Sequence, residues 1–198
     1  VTPLYETGPT GPTDGWPLAR GFDRFYGFLD AETDQYAPEL VRDNTHVAPP
    51  GTYEDGYHLT ADLADEAIRM IAEHEAGAPD APWFSYFAPG ACHAPHQVPK
   101  ELIDHYDEQF ADGWDVARER RLARMLDMGI VPAGTVLPPR NPGVKAWDEL
   151  PAAEQRVAQR LQAAYAAMLD HTDQQLARVI DFLDRSGRLE NTLVMVLS

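Results

Sequence analysis

Two histidines in the loop His93-Ala94-Pro95-His96 are the residues whose types and spacing best support chemistry. An imidazole can donate a hydrogen bond to an anion, or protonate a leaving group, near neutral pH. The residues alone leave two interpretations open: a pair presented to a ligand, or two surface histidines in a proline-stiffened turn. A zinc pair has weak support, because no third His, Cys or carboxylate lies nearby at a ligand spacing.

Cys92, which directly precedes His93, is the only cysteine of the chain. A cysteine beside a histidine suggests a nucleophile. Side chains of adjacent residues usually point apart, however, so we do not expect Cys92 to be catalytic. A single cysteine also excludes an internal disulfide and a zinc site built from several cysteines.

A second polar group, Asp170, His171 and Asp173, lies within a long helical pattern. The two aspartates are three residues apart and share a helix face, but a metal site there would need further oxygen ligands. We therefore interpret this group as the polar edge of an amphipathic helix. The remaining histidines are isolated and are expected to face solvent or to anchor loops: His46, His58, His74 and His105.

Hydrophobic periodicity predicts the helices that would carry these residues. Thr60 or Asp62 would cap the first helix, and Pro151 suits the first turn of the last one. The predicted bounds are 60–77, 100–106, 114–128 and 151–185.

Two apolar runs, 83–88 and 193–197, predict buried strands. Alternation of such strands with helices indicates an α/β fold. The His93 loop would then follow the carboxyl end of a buried strand, where α/β proteins usually bind their ligands.

Composition narrows the functional classes. The chain has 198 residues, of which 44% are hydrophobic, as in ordinary globular domains. Its 16 Lys and Arg oppose 32 Asp and Glu, a formal charge of −16. That charge argues against binding to duplex nucleic acid or to an anionic membrane surface. No apolar run approaches 18 residues, so we expect no transmembrane helix.

Several segments together, in chain order, resemble bacterial arylsulfatases. The resemblance extends over essentially the whole chain, and the ordered set is far more specific than any one segment. The segments are RGFDRFYGF (20–28), ETDQY (32–36), LVRDN (40–44), EDGYHLT (54–60), FAPGACHAPHQVPK (87–100), DGWD (112–115) and LENTLV (189–194).

The resemblance implies an alkaline-phosphatase-like sandwich, in which helices flank a mixed central sheet, and the hydrolysis of sulfate esters. Family members use a formylglycine nucleophile, made by dedicated machinery from a Cys-x-Pro-x-Arg motif. They also use a calcium ion that neutralises the sulfate oxygens. His93 matches the family's substrate-binding histidine in a His-x-Pro loop, which implies a catalytic and substrate-binding role. His96 is implied as a second substrate-binding residue.

The departures from the family pattern are informative. Cys92 is followed by His-Ala-Pro-His, so it is not the formylglycine precursor. The family's Asp-Asp, Gly-Lys-x-His and Asp-Asn-Gly segments do not occur, so we assign no metal ligand here. We therefore expect residues 1–198 to be an internal portion of a sulfatase catalytic domain, incomplete at both ends, with the calcium ligands and the formylglycine elsewhere.

Two alternatives to a sulfatase stay open. One is a phosphodiesterase or phosphonate hydrolase of the same superfamily. The other is a sulfatase-like binding domain without catalysis. The compartment is open between cytoplasm and periplasm, and the single cysteine is compatible with a reducing cytoplasm.

Overall fold

The computed structural model describes residues 2–197. They fold into two compact units, one formed by residues 2–98 with 168–197 and the other by Pro99–Ala167. Helices and a small sheet are both present, which confirms the predicted α/β class. Among the described residues, no helix is long and apolar enough to cross a membrane.

The first unit contains a three-stranded antiparallel sheet in the order β1-β2-β3. The strands are β1 (Tyr26–Gly27), β2 (Leu40–Arg42) and β3 (Thr45–Val47). A tight turn joins β2 to β3, and Asp43 adopts a left-handed conformation there, with φ of 56°. Its carboxylate accepts a hydrogen bond from the Phe25 amide at 3.0 Å, which links the turn to the start of β1.

Helix α1 (Leu59–Gly77) agrees with the predicted helix, but the predicted cap was wrong. His58 is the N-cap, and its Nδ1 accepts a hydrogen bond from the Thr60 amide at 3.2 Å. Asp62 cannot take that role because its carboxylate accepts hydrogen bonds from Tyr26 and Tyr57, at 2.6 and 2.9 Å. His58, whose backbone is extended, therefore caps the helix in place of the short polar side chain that usually does so.

The sheet is fastened to α1 by apolar and charged contacts. Leu40 of β2 packs with Leu59 and Leu63 of α1 in one buried cluster. Beside it, Arg42 donates two hydrogen bonds of 2.7 Å to the two carboxylate oxygens of Glu66. These bonds, reinforced by Arg69, lower the pKa of Glu66 to about 2. Because Arg42 belongs to β2 and Glu66 to α1, this ion pair with two hydrogen bonds fixes the orientation of the strand on the helix.

The remaining α-helices are α2 (Lys100–Asp107), α3 (Gly113–Asp127) and α4 (Ala152–Arg185), and all three were predicted. Helix α4 begins directly after Pro151. Short 3-10 helices occupy Leu4–Glu6, Pro17–Arg20, Tyr53–Asp55, Glu108–Phe110, Trp147–Glu149 and Leu189–Asn191.

The buried face of α4 includes polar residues and leaves some of the apolar residues of the helix exposed. In the first unit it packs Val179 and Leu183 against Ala64 and Ile71 of α1. Three of the apolar residues in its periodic pattern are instead exposed, whereas three polar residues are buried. The exposed residues are Val157, Leu161 and Leu169, and the buried ones are Gln159, His171 and Gln175.

The two predicted buried strands do not form among the described residues. Segments 83–88 and 193–197 belong to no sheet, and Phe84 and Leu193 are 72% and 82% exposed. An apolar segment becomes a strand only when a neighbouring strand pairs with its backbone, and neither segment has such a neighbour here. Trp83 and Phe87 nevertheless pack against the core formed by α1 and α4.

Candidate functional site

The loop that follows Phe87 holds the ring of His93 at the protein surface. The His93 amide donates to the Gly90 carbonyl at 2.9 Å. Its Nδ1 lies 2.8 Å from the carbonyl oxygen of Ala94 and 3.2 Å from a carboxylate oxygen of Glu32. Because both oxygens are acceptors, Nδ1 carries the hydrogen. The second ring nitrogen, Nε2, has no hydrogen-bond partner among residues 2–197, and the side chain is 60% exposed.

His96 is oriented differently from His93. Its Nε2 lies 3.1 Å from the Cys92 carbonyl oxygen, and the residue is partly buried. This contact closes the loop on itself, so Nε2 of His96 stabilises the turn that carries His93. Contact between His96 and a substrate stays a prediction.

Gln97 attaches this loop to the rest of the unit through three hydrogen bonds. Its side-chain oxygen accepts from the Gln35 amide at 2.7 Å, and its side-chain nitrogen donates to Asp34 at 2.7 Å. Its backbone oxygen accepts from Nε2 of His58 at 2.9 Å. The bond from Gln97 is the main reason why the pKa of Asp34 is lowered. We call Gln97 and these three partners the Gln97 clamp.

The segment on the other side of the clamp is itself rigid. The Asp34 carboxylate accepts hydrogen bonds from the amides of Tyr36 and Ala37, both at 2.8 Å. Gln35 is 2% exposed, and its carbonyl accepts from the Leu59 amide at 2.8 Å. A Cβ on Gly90 would lie 2.9 Å from Nε2 of the Gln35 side chain, so the loop approaches this segment closely.

His58 of the clamp lies against a second buried histidine, His171. The rings of His58 and His171 are 4.2 Å apart between centroids, and the residues are 4% and 7% exposed. Nδ1 of His171 is buried and has no hydrogen-bond partner among the described residues. Burial lowers the pKa of both rings, and for His171 burial together with neighbouring His58 lowers it to about 4. Both imidazoles are therefore neutral near pH 7.

The interpretation of His171 as part of a polar helix edge was wrong. It lies on the buried face of α4, in step with four other buried positions. A signal for this was available, since helical spacing connects Ala164, Met168, His171, Gln175 and Val179. His58 anchors a loop, which is one of the two roles expected for it.

An open cleft of about 500 Å³ lies beside the clamp. It is lined mostly by residues of the 28–41 region, together with Thr7, with His46 and with Pro95 of the His93 loop. Its polar lining includes Glu32 and Asp34, the residues that contact His93 and Gln97. A cleft of this size is large enough for a small organic molecule.

No metal site is assembled by the described residues. Within residues 2–197, no group of three or more His, Cys, Asp or Glu side chains could hold a metal ion. The residues present therefore do not fit the calcium ion that the resemblance implies. Cys92 is partly buried and takes part in no disulfide.

Comparison with known proteins agrees with the sequence resemblance. The chain is 31% identical over 199 residues to an uncharacterized sulfatase of Schizosaccharomyces pombe. It is 26% identical over 194 residues to an arylsulfatase of Klebsiella aerogenes. These matches cover 93% and 92% of the chain but only 35% and 40% of the two relatives. The family model named Sulfatase matches residues 4–198, so the chain belongs to the sulfatase family, whose domain is alkaline-phosphatase-like.

Proposed function

We propose that this chain is part of the catalytic domain of an enzyme that hydrolyses sulfate esters, with aryl sulfates as the substrate class. The observation that supports this function best is the presentation of His93. Its Nδ1 is held by acceptors, its Nε2 has no hydrogen-bond partner among residues 2–197, and its loop borders an open cleft. The arylsulfatase of Klebsiella aerogenes, similar over 92% of the chain, supports the aryl class.

In this proposal His93 acts on the oxygen that links sulfur to the organic group. Sulfur would accept a nucleophile from another part of the protein as its bond to this oxygen breaks, and negative charge develops on the oxygen. The protonated ring donates its Nε2 proton there, the alcohol or phenol departs neutral, and the ring keeps its hydrogen on Nδ1. The Gln97 clamp holds the loop during this step, so that little reorganisation is needed when charge develops.

We further propose that the calcium ion and the formylglycine implied by the resemblance belong to parts of the protein other than residues 2–197. Cys92 lacks the Pro and Arg of the modification motif, and the described residues form no metal site. The formylglycine-generating machinery would then act on a cysteine elsewhere. In this proposal His93 supplies only the proton, and the nucleophile comes from one of those other parts.

A direct test compares two purified proteins on one aryl sulfate. The full-length protein that contains this chain is expected to release sulfate, to lose that activity with a calcium chelator and to regain it with added calcium. The isolated 198-residue chain is expected to release none with or without calcium, because positioning alone does not replace a nucleophile. Turnover by the isolated chain, free of contaminants, would disprove the assignment of the nucleophile and the calcium ion to other parts of the protein. An inert full-length protein with its modification intact would favour a binding domain.

A further inference from the structure

We infer that Glu32 is a positioning residue for His93, whose ring it holds by Nδ1 so that Nε2 stays available to the departing oxygen. This inference deepens the proposed function and rests on it. The two side chains come from segments that are distant in sequence, and their contact is 3.2 Å long.

The surroundings explain why two surface side chains meet. Glu32 and His93 are 58% and 60% exposed, and an exposed pair alone contributes little to stability. Each of the two segments is nevertheless held in place by hydrogen bonds close to Glu32 or to His93. Asp34 forms a turn two residues after Glu32, and Gln97 is bonded to that turn four residues after His93. The clamp therefore brings the carboxylate and the imidazole together, at a reduced cost in conformational entropy.

The chemistry of the contact favours a role in proton donation. The Ala94 carbonyl oxygen lies 2.8 Å from Nδ1, and this uncharged acceptor already orients the ring. Glu32 adds a charged acceptor 3.2 Å from the same nitrogen, so Nδ1 stays bonded to the protein and Nε2 is left for the departing oxygen. A ring that is protonated on both nitrogens can donate from Nε2 while Glu32 still accepts from Nδ1. Removing the charge should therefore impair proton donation more than substrate binding.

Glu54 offers a matched control for this inference. It belongs to the short 3-10 helix Tyr53–Asp55, is exposed and is not among the described residues that line the cleft. Glu54→Gln removes the same negative charge as Glu32→Gln and keeps a side chain of the same size. An effect of the overall charge of the protein would thus appear in both variants, whereas an effect transmitted through His93 would appear in only one.

The experiment measures kcat and KM of the full-length protein on a series of aryl sulfates whose phenols differ in acidity. Glu32→Gln should lower kcat by roughly 10- to 100-fold, as when a group that orients a functional histidine is removed. KM should change little, and the loss should grow as the phenol becomes less acidic. Glu32→Asp should recover part of the activity, and Glu54→Gln should match the parent.

The decisive comparison adds Glu32→Gln to His93→Ala. If Glu32 acts through His93, the second substitution should cause no further loss. Parental kcat in Glu32→Gln, an equal loss for every phenol, or a full additional loss in the His93→Ala background would overturn the inference and leave the sulfatase proposal intact. A full-length protein that hydrolyses no sulfate ester would instead overturn the proposed function, and this inference with it.

Discussion

In the full-length protein, His93→Ala is expected to lower kcat/KM for an aryl sulfate by roughly 10²- to 10⁴-fold. The reason is that alanine removes the ring nitrogen that would donate to the departing oxygen. Because His93 is 60% exposed and contributes nothing to a buried cluster, the fold should be unaffected. Steady-state kinetics on one aryl sulfate measures the loss, and circular dichroism checks the fold.

Two neighbouring substitutions serve as controls. His96→Ala should cost less than His93→Ala, because Nε2 of His96 already contacts the Cys92 carbonyl. Cys92→Ala should change the activity very little, because its sequence context is not that of a formylglycine precursor. Near-parental kcat/KM in His93→Ala would show that the histidine only belongs to a turn. An inactive Cys92→Ala variant would show that the thiol was wrongly dismissed.

The second large effect concerns stability at acidic pH. The full-length protein should lose stability as the pH falls from about 6.5 towards about 4, because His58 and His171 stay neutral in the folded state but take up protons when unfolded. Protonating His58 would break its bond with the Thr60 amide, and protonating His171 would place a charge against His58, only partly offset by Asp170. The contribution of His171 alone is about 3 kcal/mol at the acidic end.

The variant His171→Leu tests the origin of this pH dependence. Leucine fills much of the same volume, cannot titrate and removes the unpaired Nδ1. Denaturant unfolding between pH 4 and pH 7 should therefore show a flatter profile for His171→Leu than for the parent. His105→Gln, which removes an exposed histidine, should keep the parental profile. The same steep profile in both variants would mean that other groups cause the loss.

Helices could be predicted from sequence because their apolar spacing is a local property. The bounds of α1 and α4 were anticipated within about two residues, which is the usual uncertainty at a helix end. The cap of α1 could not be anticipated, since it depends on the backbone angles of His58 and on two tyrosines that occupy Asp62. The buried face of α4 was only partly anticipated, because tertiary packing selects which apolar residues are covered.

Strands and site contacts depend on distant residues. The apolar runs 83–88 and 193–197 fit a buried strand by composition, but a strand also needs a pairing partner, and the described residues provide none. His93 could be singled out by its loop and by its resemblance to a family motif. Glu32 could not be singled out as a partner of His93, because only the folded chain brings residues 61 positions apart to 3.2 Å.

The measurement that tests the central claim most directly is the selectivity of the full-length protein between two matched esters. An aryl sulfate and an aryl phosphodiester with the same phenol present the same leaving group attached to sulfur or to phosphorus. We predict that kcat/KM is higher for the sulfate, and that His93→Ala lowers it for that substrate. A higher kcat/KM for the phosphodiester would contradict the claim and identify the protein as a phosphodiesterase of the same superfamily.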